Sequence, residues 1–132
     1  MIVIYHNLAC ETSRNVLAFI RSVEEPTVVL YLETGWTQPH LLGLFAAADV
    51  TPRQALRLSG SPAEALGLLD PAVSDEAILA AMVTHPILVN RPFVASPRGT
   101  RLCRPSETVI ALLPRPPGPL VKEDGTPVEP AG

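Results

Sequence analysis

Residues 2–32 read as strand, helix, strand, and no other feature restricts the fold of this chain as much. Two parallel strands need a crossover, and a strand–helix–strand crossover is right-handed. A chain that opens this way is committed to a sheet with a helix on its face. The first strand is Ile2-Val3-Ile4-Tyr5, a short β-branched and aromatic run. Val16, Leu17, Ile20 and Val23 then make one apolar stripe at helical spacing. Glu24-Glu25-Pro26 turns the chain into Thr27-Val28-Val29-Leu30-Tyr31-Leu32, which is apolar on both faces, as expected of a parallel strand covered on two sides.

Between the first strand and the helix lies His6-Asn7-Leu8-Ala9-Cys10-Glu11-Thr12-Ser13-Arg14. Thr12 or Ser13 is the expected N-cap. Cys10 then stands just ahead of a helix N-terminus, where unpaired N–H groups and the helix dipole favour a thiolate. A cysteine near a strand end is often only a small apolar filler. Against that reading, Cys10 falls in the turn, hydroxyls follow it at Thr12 and Ser13, and His6 and Arg14 flank it.

Further along, Leu41, Leu42, Leu44 and Phe45 supply an apolar face in a stretch, 37–68, that reads as short helices. Thr51-Pro52-Arg53-Gln54 is a capping box with Pro at the first helical position, and Ser61-Pro62-Ala63-Glu64 repeats the device. Ser74-Asp75-Glu76 opens another helix with Ile78, Leu79 and Met82 as its buried face, and His85-Pro86 ends it. Ile87-Leu88-Val89 reads as a strand, Phe93-Val94-Ala95 as extended chain, Ser96 to Gly99 as a turn, and Thr100 to Cys103 as the last strand. Pro105-Ser106-Glu107 starts a final helix. The order predicts an α/β or α+β fold with a four-stranded mixed sheet. One domain over 1–113 is expected, with a helical insert at about 37–68 and a Pro/Gly-rich, irregular tail over 114–132.

The formal net charge is −3, which gives no case for nucleic-acid binding. There is no run of 18 or more apolar residues, and the N-terminus lacks a basic region followed by a long apolar stretch. No membrane span, no signal peptide and a cytoplasmic location are therefore expected. Two cysteines far apart in sequence make neither a disulfide framework nor a zinc site, and His40 and His85 are not in metal-ligand spacing with anything.

Tyr5 to Asn15 resembles the active-site segment of arsenate reductases that use glutathione and glutaredoxin. His85-Pro86-Ile87-Leu88-Val89-Asn90-Arg91-Pro92-Phe93-Val94, then Gly99-Thr100-Arg101-Leu102-Cys103-Arg104-Pro105-Ser106-Glu107, then Lys122-Glu123-Asp124-Gly125 follow in the family's order. The resemblance implies a thioredoxin-like fold with an inserted helical subdomain, and a cis Arg91–Pro92 peptide. It implies that Cys10 is the nucleophile, that His6 and Ser13 stabilise its thiolate, and that Arg57, Arg91 and Arg104 bind the oxyanion. Alone, each arginine reads as an ordinary surface or strand-end residue; three beside a matched cysteine motif read as a site. Arsenate, glutathione and glutaredoxin are the implied partners, with glutathione a co-substrate and no cofactor bound. Cys103, on an apolar strand, is expected to be structural.

Two positions depart from the family pattern. Leu8 stands where Pro is usual, at some cost in loop rigidity, and Glu11 where Gly is usual. An inward Glu11 carboxylate would repel arsenate and raise the thiol pKa, so it is expected to point away. The alternative function is that of a thioredoxin-like regulator or redox protein without arsenate activity. Ser13 in the place of a second cysteine disfavours the two-cysteine regulator type, and the three arginines favour the reductase. A Cys-x5-Arg phosphatase loop is absent, since Arg14 follows Cys10 by only four residues.

Overall fold

The chain alternates short strands with helices. The computed structural model describes residues 1–117, 120–121 and 127–128. Its main elements are β1 (Val3–His6), α1 (Glu11–Arg21), β2 (Thr27–Leu30), a one-turn helix α2 (Tyr31–Thr34), α3 (Gln38–Ala48), α4 (Asp75–Thr84), β3 (Phe93–Ser96) and β4 (Gly99–Leu102). Two 3₁₀ helices, Pro86–Leu88 and Ser106–Leu112, complete the list. The described part of the tail contributes a two-stranded antiparallel pair, β5 (Leu120–Val121) and β6 (Pro127–Val128); the rest of the expected irregular tail, 114–132, lies largely outside the described residues.

By contacts the chain divides into two units, Met1–Leu30 with the chain from Arg91 onward, and Tyr31–Asn90. The first unit carries the four-stranded sheet, in the order β2-β1-β3-β4. β1 and β2 are parallel, while β1–β3 and β3–β4 are antiparallel. This is the four-stranded mixed sheet that the element order predicts and the thioredoxin-like arrangement that the resemblance implies. Ile2 and Ile4 from the β1 segment, Val16, Phe19 and Ile20 from α1, Val94 from β3 and Val109 and Leu112 from the last 3₁₀ helix form its core. The stripe on α1 that reads as apolar is therefore the face that packs. β2 differs from expectation: it is half-buried, because it is the edge strand, and it stops at Leu30 as the chain turns into α2.

β3 and β4 form a hairpin in which Ser96 pairs Gly99 and Phe93 pairs Leu102 across Pro97-Arg98. Gly99 has φ +140°, a conformation closed to other residues at little cost. Past the open end, the Cys103 N–H donates to the Pro92 carbonyl at 2.9 Å. Arg91 and Arg104 are thus carried just beyond the two strand ends that face each other. The Arg91–Pro92 peptide is cis, as expected, and so is Arg104–Pro105.

The second unit carries α2, α3 and α4. Its α3 is capped by Thr37, whose hydroxyl accepts from the His40 N–H, and α4 by Ser74, which accepts from the Ala77 N–H at 3.1 Å. Residues 51–69 correct the sequence reading. The capping box forms, with Thr51 N–H donating to Gln54 Oε1 at 2.9 Å and Gln54 N–H to Thr51 Oγ1 at 3.1 Å, yet no regular helix follows. Instead Arg53 donates to the carbonyls of Leu68, Asp70 and Val73, at 3.3, 3.1 and 2.6 Å, and so fixes a chain of turns. Ile87-Leu88-Val89 is likewise not a strand: Pro86 starts a 3₁₀ turn, and only Val89 makes a bridge, to Leu56.

Candidate active site

The loop between β1 and α1 is built by Asn7 and Ser13. The Asn7 side chain accepts from the Ala9 N–H at 2.9 Å, while the Asn7 carbonyl accepts from the Cys10 N–H at 3.1 Å. The Ser13 hydroxyl accepts from the Asn7 N–H at 3.1 Å and lies 2.6 Å from His6 Nδ1. Arg14 Nη1 donates to the Leu8 carbonyl at 2.9 Å and holds the outer side of the loop. Sequence reading found Ser13 as a site residue but not Asn7, whose signal is an Asn two residues ahead of the amide it accepts from.

These bonds correct the expected N-cap. Cys10 itself is the N-cap, in an extended conformation, and α1 starts at Glu11. Ser13 lies inside the first turn, where its hydroxyl is taken by His6 and Asn7 rather than by the helix's own amides.

Cys10 is buried and its thiol pKa is lowered from the ordinary value. Burial is the largest single influence and opposes ionisation; it is outweighed by the Ser13 backbone N–H, the charge of Arg91 and hydrogen bonds from Arg104 and Arg91. The thiol makes no regular side-chain cap bond. Arg104 Nη1 lies 3.8 Å from Cys10 Sγ and donates to the Arg91 carbonyl at 3.1 Å. The first unit thus brings together Cys10, Ser13, Arg91 and Arg104.

His6, which the resemblance implies as a stabiliser of the thiolate, lies against Ser13. It is 2% exposed, and burial first, then the charges of Arg21 and Arg14, lower its pKa. A neutral imidazole bonded to Ser13 holds the first turn of α1 in place and adds no positive charge beside the thiol. Arg57 belongs to the second unit. Its backbone N–H donates to the Leu88 carbonyl and its Nε to the Ser59 carbonyl, each at 2.8 Å. Gly60 makes room for the guanidinium, since a Cβ there would sit 2.6 Å from Nη2.

Glu11 is exposed at the first position of α1, where a carboxylate suits the helix dipole, and it is not among the groups that act on the Cys10 thiol. Its φ is not positive, so glycine's freedom is not needed there. Leu8 is 64% exposed, and Asn7 and Arg14 supply the rigidity that a proline would have given. Cys103 is wholly buried in the core, its pKa pushed up to about 12 by burial. Among the described residues no group of three or more His, Cys, Asp or Glu is arranged to hold a metal ion, and no helix is long and apolar enough to cross a membrane.

Comparison with known proteins matches residues 5–112 to the ArsC family model. An arsenate reductase of Synechocystis sp. is 61% identical over 127 residues, covering 95% of this chain and 91% of the relative. An arsenate reductase of Escherichia coli is 49% identical over 126 residues, 94% of this chain and 89% of the relative. Among solved structures, an arsenate reductase from Vibrio cholerae superposes with a TM-score of 0.79 at 36% identity, covering 85% of this chain and 97% of that one.

Proposed function

Because the chain belongs to the ArsC family, we propose that it reduces arsenate to arsenite through the Cys10 thiolate, with glutathione and glutaredoxin as reductants in the cytoplasm. The observation that carries this reading is the convergence of two guanidinium groups on one pKa-lowered thiol at a helix N-terminus. Arsenate is a tetrahedral oxyanion, and its capture needs N–H donors directed at one spot. The α1 amides, Arg91 and Arg104 supply them, and Arg57 is assigned as the third oxyanion-binding arginine.

The Cys10 thiolate attacks arsenic and a hydroxide leaves, with a proton, as water. The glutathione sulfur then bonds to arsenic and a second hydroxide leaves, with the thiol proton, as water. Collapse to a Cys10–glutathione disulfide breaks both sulfur–arsenic bonds; one electron pair forms the sulfur–sulfur bond and the other stays on arsenic, which passes from the +5 to the +3 state. Glutaredoxin reduces the disulfide and returns the thiolate. The second electron-donating thiol comes from outside the chain, a reading supported by the burial and raised pKa of Cys103. His6 and Ser13 support the thiolate by fixing the first turn of α1, whose Ser13 N–H favours the charged sulfur.

The test is a coupled assay with arsenate, glutathione and glutaredoxin. Arsenite should form in proportion to arsenate-dependent reductant consumption, and should require Cys10. Absence of arsenite with an intact Cys10 thiolate would reject the reading in favour of a family member acting on another substrate.

A further inference from the structure

On the outer side of α1, beside the loop that presents Cys10, lies a cavity of about 650 Å³ lined by Leu8, Arg14, Leu17, Ala18, Arg21 and His6. Its size is that of a site for a sizeable group, within the ~300–1,000 Å³ common for such clefts. The lining follows from helical spacing: Arg14, Leu17, Ala18 and Arg21 fall at i, i+3, i+4 and i+7, one face over two turns. Val16, Phe19 and Ile20 enter the core, and Leu17, half-buried, packs against that core and also lines the cleft at its border. The cleft therefore has an apolar floor and a guanidinium at each end, roughly 10 Å apart along the helix. Its upper wall is the thiol loop itself, tied down by the bond from Arg14 to the Leu8 carbonyl.

Leu8 is the notable member. It is 64% exposed although it lies two residues from the nucleophile. Arg21 makes an ion pair with Glu25 at 3.1 Å, but with side chains 50% and 69% exposed the pair is too well solvated to hold it there. A positive, apolar cleft on a chain whose net charge is −3 is a local reversal of sign.

We propose that this cleft docks the thiol–disulfide exchange protein that regenerates Cys10, receiving an apolar side chain flanked by carboxylates on that partner. The inference rests on the glutathione-linked reading above and names the surface its last step uses. Three arguments support this occupant. A protein that brings its own thiol to a disulfide at Cys10 must cover the surface around it, and an ordinary interface of ~800 Å² per partner reaches across the first two turns of α1. Arginine is among the residue types on which such interfaces concentrate their binding energy, and the exposed Leu8 adds apolar area beside Arg14 and Arg21. The two guanidiniums steer an acidic partner and repel a basic one.

The experiment uses the full chain converted to its Cys10–glutathione disulfide with oxidised glutathione, without arsenate, so that the docking step is measured even if the arsenate reading fails. Reduction by glutaredoxin is followed in the parent chain and in Leu8→Asp and Arg21→Glu. Each variant is expected to raise the glutaredoxin KM at least fivefold and to leave reduction of the same disulfide by dithiothreitol unchanged. Arg21→Glu, two turns from the thiol, should also flatten the dependence on ionic strength. An unchanged glutaredoxin KM in Arg21→Glu overturns the proposal. So does an equal slowing of reduction by dithiothreitol, which would place the effect on the disulfide itself rather than on docking.

Discussion

Cys10 and Cys103 are the same side chain in two neighbourhoods of one unit, and they are driven in opposite directions. Both are buried. Around Cys10, burial meets a helix N–H and two guanidiniums, and the thiol pKa falls. Around Cys103, burial meets an apolar core, the Arg101 carbonyl that accepts from the thiol at 3.7 Å and the weaker opposing charge of Arg101, and the pKa is pushed up to about 12. Low exposure alone therefore says nothing about reactivity. What separates the two is whether donors for a negative sulfur are built into the walls.

The sharpest way to break this contrast is to remove each thiol in turn. Cys10→Ser should lower arsenate turnover by on the order of 10³-fold or more, as loss of a nucleophile does. Cys103→Ala should keep kcat within about twofold and lose about 1 kcal/mol of stability, by leaving a small void in the core. Equal loss of activity in both, measured in the coupled assay with unfolding followed in parallel, would erase the distinction.

Alkaline unfolding tests the Cys103 side. A raised folded pKa means that the native chain keeps its proton where the unfolded chain loses it. Stability that is complete below pH 9.0 should therefore drain away towards about pH 12, at up to ~1.4 kcal/mol per pH unit. Urea titrations at rising pH should show this slope, and Cys103→Ala should lack it. Cys10, with its lowered pKa, contributes with the opposite sign: its share grows as pH rises through the folded pKa towards the ordinary value.

Replacing Arg104 by Met keeps most of the side chain's length and removes its donors. Alkylation of Cys10 by iodoacetamide at pH 7 should slow roughly 3- to 10-fold, as less thiolate is present. An unchanged rate would mean that the Ser13 N–H and Arg91 suffice.

Smallest of all should be Glu11→Gly. An exposed, screened carboxylate that does not act on the thiol should change the arsenate KM and the alkylation rate by less than about twofold. A large fall in KM would show that Glu11 turns inward once the oxyanion is bound.

The first unit was legible because its signals are periodic. The α1 stripe, the β-branched first strand and the Pro97-Arg98 turn each correspond to an observed element. The errors have physical causes. Thr12 and Ser13 carry good capping chemistry, yet Ser13 is claimed by His6 and Asn7, and the cap falls to Cys10. The boxes at Thr51 and Ser61 announce helices, but a box fixes one turn, and nothing in 51–69 supplies a stripe to propagate it. Those turns are set by Arg53, whose carbonyl partners lie 15 to 20 residues away, beyond any local pattern. The same holds for the site. Arg104 and Cys10 meet across 94 residues, so no spacing rule pairs them, and only the resemblance to a known family pointed to both.

The β3–β4 hairpin has a use in protein engineering. Its open end carries Arg91 and Arg104, and its closed end is the two-residue turn Pro97-Arg98. Distance along a hairpin insulates one end from the other. Residues added in matched pairs at the turn lengthen both strands and leave the inner register, Phe93 with Leu102, untouched. The local loss is the bond from Arg98 Nη1 to the Leu113 carbonyl. A single unmatched residue inside a strand would instead turn every side chain beyond it to the other face. The turn is thus a natural port for a reporter peptide or a surface tether, and the strands next to it are the place where the chain tolerates no frameshift of its own.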